Sequence, residues 1–254
     1  MKVNIKPKQL KYVILMAGAA GLILRTLLYA VGIDGRGLLT ENHPVSIALG
    51  VLTAASAAVL LFFGLGISGS KEYNNAHPAS SGAAMGCFAL MAGLAMTAVR
   101  EFGEFSVLLH LIIWVLGIVS TVAMGYVGVC RLTGKKPYFL LHAVLCIYFA
   151  LRMVSRYRIW SSDPQLQDYC FYLSAYVALM LTAYHHAAFD ADMGAHRPLW
   201  RFSLASVYLC ALSLYGNMDT FLMLGCGIWV FTNLTCPCRQ CPMPTPNADS
   251  SEEG

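Results

Sequence analysis

Apolar stretches long enough to cross the hydrocarbon of a bilayer recur eight times along this chain, and that recurrence limits what it can fold into. They run near 10–32, 45–67, 82–99, 105–130, 137–157, 168–189, 199–216 and 219–235. A soluble core could not hide so much apolar surface. Hydrophobic residues make up 57% of the 254 and charged residues only 12%, about half the roughly 25% of soluble domains. The same numbers exclude disordered, collagenous and disulfide-rich secreted classes. A scattered net charge of +4 gives no footprint for nucleic acid. The expected fold is all-α: a polytopic transmembrane helix bundle over residues 1–235, with about eight spans, and a Cys/Pro-rich tail over 236–254 that is expected to be disordered. The third, seventh and eighth stretches are short, and a shallow hairpin is the alternative for the last two. The N-terminal MKVNIKPKQLKY has the charge of a signal peptide, but the apolar run behind it is too long, carries Arg25 and lacks a small-residue cleavage site.

Basic residues orient the bundle. With both termini cytoplasmic, Lys2, Lys6, Lys8, Lys11, Lys71, Arg131, Lys135, Lys136, Arg197, Arg201 and Arg239 are inside, Arg36, Arg100, Arg152, Arg156 and Arg158 are outside, and Arg25 lies within a span. Of the nine cysteines, six fall in or beside spans and Cys236, Cys238 and Cys241 in the inner tail, so no outer loop carries a disulfide pair.

Two features recur half a chain apart. Leu24-Arg25 and Leu151-Arg152 stand toward the outer ends of the first and fifth spans; Ile113-Trp114 and Ile228-Trp229 mark the fourth and eighth, each behind an outer turn with an acid, Glu101/Glu104 or Asp219. A parallel four-plus-four repeat, as in some transporters, is one reading, and chance recurrence of common membrane residues is the other.

A charge inside a span faces the bundle interior and has a partner. Gly18 and Gly21 share the face of Arg25, and such small residues suit close helix packing. Arg152 and Arg156 are four apart on one face, while Tyr169, Tyr172 and Tyr176 form a stripe on the next span. Arginine's planar fork suits carboxylates and phosphates. Arg25, Arg152 and Arg156, with these tyrosines and Glu101 and Glu104, therefore make a candidate outward pocket for an anionic small molecule or lipid headgroup. The competing reading is plain pairing of the arginines with outer acids, Asp34, Glu41, Glu101, Glu104, Asp163, Asp168 and Asp219.

On the inner side, His186 and Asp190 are four apart on the sixth span, a spacing that can supply two metal ligands, and His142 is the third donor in reach. No HExxH motif supports a zinc hydrolase, and polar residues at a helix end are the plainer reading. Cys236, Cys238 and Cys241 are a candidate soft-metal or lipidation cluster, or simply reduced thiols. Gly82 and Gly86 form a GxxxG pair on a thin third span, a candidate oligomerisation face. The chain has no phosphate loop, no GxSxG elbow and no dinucleotide fingerprint, so no cofactor is expected and an enzyme is the less favoured class.

Trp160-Ser161-Ser162-Asp163-Pro164-Gln165-Leu166-Gln167-Asp168-Tyr169 and the stretch from Ala183 to Gly194 resemble multi-pass proteins of anaerobic Gram-positive gut bacteria, a group with no assigned activity. The resemblance implies a bacterial inner-membrane location and carries over no site residue. Three functions are left: a small permease or ligand-binding protein using the outer arginines, a metal-dependent membrane enzyme at His142, His186 and Asp190, and a non-catalytic scaffold or interaction partner.

Overall fold

The computed structural model describes residues 7–32, 43–63, 73, 77–103, 108–161, 166–215 and 219–236, with the side chains of residues 7, 8, 63 and 166–168 left aside. Glu104, Asp34, Glu41, Asp163, the side chain of Asp168, Cys238, Cys241 and the tail beyond residue 236 lie outside the described residues. So do Lys2, Lys6, Lys71, Arg36 and Arg239, on which part of the orientation argument rests.

Among the described residues the chain is all helix: α1 Pro7–Val31, α2 Pro44–Phe63, α3 Ser81–Arg100, α4 Leu108–Thr133, α5 Phe139–Trp160, α6 Leu166–Asp190, α7 His196–Leu212 and α8 Thr220–Thr235. Five of them, α1 to α5, are long and apolar enough to cross a membrane. α6 has the length but carries the polar residues that line both ends of the bundle. α7 and α8, at 17 and 16 residues, are shorter.

Local sequence sets the helix ends. Pro7 and Pro44 open α1 and α2, where a missing N–H costs nothing. The Ser80 hydroxyl caps α3 by accepting from the Ala83 N–H at 3.4 Å. Gly134, with φ of 70°, ends α4, and Asp192, with φ of 58°, takes the same left-handed place after α6. Inside the helices, threonine hydroxyls donate to the carbonyl four residues back, as Thr53 does to Leu49 and Thr182 to Ala178, which satisfies them in apolar surroundings.

Sequential helices run antiparallel, and the loops sort cleanly. The segments before α3, after α4 and after α6 meet at one end: the Ser80 N–H donates to Arg131 O, the Tyr73 N–H to Asp192, and Lys136 pairs with Asp192. The start of α1 and the end of α8 lie at that same end, where Tyr12 meets Phe231 edge-on. We call it the terminal face. The turns after α3 and before α8 meet at the opposite face.

α3 to α8 follow one another around a closed ring, with α8 back against α3, and α1 and α2 lie on the periphery beside α7; all six ring helices bury side chains, α6 most of all. α3 and α8 approach most closely, through glycines. A Cβ on Gly93 would stand 2.7 Å from Phe221 O, and one on Gly225 2.8 Å from Ala89 O. Gly86 belongs to this contact too, 3.1 Å from the Trp229 Cα for an added Cβ, whereas Gly82 has only Ser80 nearby. The GxxxG pair therefore presents no single free face, because α8 of the same chain covers half of it. Gly18 and Gly21 bring α1 against Ala211 and Leu212 of α7 in the same way.

Candidate functional site: two buried polar centres

At the opposite face, Arg152 and Arg156 project from the last two turns of α5 into a centre closed by two acids. Arg152 is 3% exposed. Its Nη1 donates to Glu101 at 2.6 Å, and its Nη2 donates to Asp219 at 2.5 Å. Arg156 forks onto Asp219, with Nε at 3.0 Å and Nη2 at 2.8 Å. The Tyr176 hydroxyl of α6 completes Asp219 at 2.9 Å. Two guanidiniums and two carboxylates leave the centre neutral, which is what a low-dielectric setting demands. One donor is left over: the Nε–H of Arg152 is buried with no hydrogen-bond partner, while the buried Tyr172 hydroxyl lies near Asp219.

This centre gathers Arg152, Arg156, Glu101, Tyr172 and Tyr176, and leaves Arg25 and Tyr169 elsewhere. Arg25 is buried, donates to Leu212 O at 3.0 Å, and lies over the rings of Tyr29 and Phe171. Tyr169 stacks on Trp160 at 4.3 Å between centroids, and Trp160 meets Tyr172 edge-on. The arginines thus face carboxylates of the chain itself and not an open pocket. Asp219 is the residue that sequence reasoning left among the general outer acids. Its place at the start of a short last helix was the available signal.

At the terminal face a second centre lies on the same helices. His142 of α5 and Asp190 of α6 are hydrogen-bonded at 2.5 Å, both almost fully buried. The His142 and His186 rings stack at 5.4 Å, and both lie beside Trp229 of α8. His77, from the linker before α3, contacts His186 Nδ1 through its Nε2 at 3.2 Å. His77 was not foreseen, since nothing in its own stretch ties it to residues more than a hundred positions away. The Nε2 of His186 and the Oδ1 of Asp190 are buried without partners. His186 also lines a cleft of about 40 Å³, room for two or three waters, with His77, His196, Ser203, Asn233 and Cys236.

The three proposed metal donors do not converge. His142 and Asp190 bond each other, His186 bonds His77, and among the described residues no group of three or more His, Cys, Asp or Glu is arranged to hold an ion. Polar linkers surround the centre. Burial pushes the Tyr73 phenol up to about 12 against the opposing pull of Arg131, which lies over its ring. Asp192 is held below its usual range by the hydrogen bond from Lys136 and that from the Tyr73 N–H.

Between the centres the seam is apolar. Leu145 and Phe149 of α5, Leu179 and Ala183 of α6, Leu222, Met223 and Cys226 of α8, and Leu90 and Leu94 of α3 are all buried. Ten residues separate His142 from Arg152 and Tyr176 from His186, about 15 Å along a helix.

Comparison with known protein families, with curated proteins and with solved structures finds no match.

Proposed function

We propose that this is a small integral membrane permease or ligand-binding protein of eight spans, in a bacterial inner membrane, with the terminal face and both termini cytoplasmic. The observation that carries the reading is the pair of buried polar centres at the two ends of one four-helix seam, separated by an apolar layer. A chain built only to pack would have no use for buried Arg152, Asp219, His142, His186 and Asp190 on that seam, each of them costly in a bilayer. The lysine and arginine distribution supports the orientation. A four-plus-four repeat belongs to the same reading, supported by the burial of both Arg25 and Arg152. Its test is flux. Reconstituted in liposomes, the chain should accumulate one of a panel of labelled carboxylates or phosphates, and Arg156→Ala should abolish uptake. Uptake equal to that of empty liposomes across the panel overturns it.

A second reading, a metal-dependent membrane enzyme on the inner side, is favoured by the buried, unpartnered Nε2 of His186, a residue that lines the cleft. Stoichiometric metal in purified protein, lost in His186→Ala, supports it, and metal-free protein overturns it. A chain that responds in neither test is a scaffold.

A further inference from the structure

The outer centre contains two carboxylates with different standing, and we propose that one of them, Glu101, occupies the place of a solute carboxylate. The inference rests on the permease reading above and names its substrate class. Asp219 is fixed. It is 2% exposed, sits at the start of α8, and receives four hydrogen bonds, two from Arg156, one from Arg152 and one from Tyr176. Glu101 is held only by the arginines. Its side chain is 27% exposed, and it meets Arg152 through Nη1 at 2.6 Å and Nη2 at 2.5 Å, and Arg156 at a loose 3.5 Å. It stands in the turn that ends α3, two residues before Gly103 with its φ of 92°. A turn can carry a side chain out of the centre without moving a packed helix.

Arg152 supplies the second, independent observation. Its guanidinium is nine-tenths buried, yet its Nε–H has no acceptor, while Arg156 engages Asp219 through both Nε and Nη2. Arg152 takes Glu101 end-on through Nη1 and Nη2, so its Nε–H is a donor left over beside the place that Glu101 fills. A free carboxylate, unconstrained by a main chain, can take the same end-on fork, and a further oxygen of the solute can accept from Nε. Exchange of one carboxylate for another keeps the centre neutral, so no unpaired charge is buried at any step. The solute binds by displacing Glu101, and Glu101 closes the centre when the solute is gone.

The test reads acetate binding by thermal unfolding of the full chain in phosphatidylcholine nanodiscs, with chloride at equal ionic strength as the reference. Removing the internal competitor should tighten binding, so E101Q is expected to bind acetate about tenfold more tightly than the natural chain. R156K, which loses the fork, is expected to bind it more weakly. Equal acetate affinity in the natural chain, E101Q and R156K, or no acetate response in E101Q, overturns the proposal. Should E101Q fail to fold, E101D keeps the charge but withdraws it from Arg156, and must bind acetate more tightly than the natural chain. Equal affinity in E101D then overturns the proposal. Stabilisation of E101Q by phosphatidylglycerol nanodiscs and not by acetate also overturns it, assigning the place to a lipid headgroup. Acetate binding without carboxylate flux leaves the exchange standing and removes the permease reading.

Discussion

At the scale of single residues, burial of charge was legible and partnership was not. An arginine in an apolar run announces that it faces inward, and Arg25 and Arg152 are both buried. Which acid answers it depends on how helices far apart in the chain come together. Asp219 is 67 positions from Arg152, and its place before the last helix does not say which arginine it meets. Its weight can be measured. Asp219→Asn keeps the shape but leaves buried Arg152 and part-buried Arg156 short of an anion, and is expected to cost about 3–5 kcal/mol, read as a lowered Tm. Asp192 gives a prediction in pH. A carboxyl held below its ordinary 3.8 contributes stability that is fully present above that value and is lost as pH falls through the lowered one. The stability gap between the natural chain and Asp192→Asn should therefore be constant near neutrality and close below pH 3.8, as acid titrations of the two unfolding temperatures will show. A gap that widens on acidification would contradict the pairing with Lys136.

Helices were the most legible level. Each of the eight apolar stretches overlaps one helix, because length and apolar content are properties of a local window. α6 explains where such reading stops. Its Tyr176, His186 and Asp190 dilute the apolar signal of a helix that is 25 residues long and central to the fold. Glycine spacing marked α3 as thin but could not say what lay against it. The answer is α8, and it yields a paired prediction. Gly93→Ala forces a methyl against the Phe221 carbonyl and is expected to cost about 1–3 kcal/mol, because backbone cannot yield as a side chain does. Gly50→Ala on α2, where an added Cβ meets nothing within 4 Å, should leave Tm unchanged or higher. Equal losses at both positions would mean that α3 and α8 do not touch as described.

For the whole molecule, the sorting of loops onto two faces follows from antiparallel succession, and sequence alone reached it through the basic residues. Cysteine labelling tests it directly. Chains retaining only Cys170, exposed near the start of α6, or only Cys236, half-buried at the end of α8, should react with a membrane-impermeant maleimide from opposite sides: Cys170 in intact cells, Cys236 after lysis. Labelling of both from outside would break the proposed eight-span topology. The apolar layer between the two centres has an electrical consequence. A column of water or a row of fixed charges lets ions drift in proportion to voltage; about 15 Å of Leu, Phe and Met between two polar ends does neither. On the permease reading, a solute must wait for the helices to rearrange, on the microsecond-to-second scale of such motions. Recordings across a planar bilayer should therefore show no unitary current steps, and any flux should saturate with solute concentration and rise steeply with temperature, the behaviour of a turnstile and not of a wire.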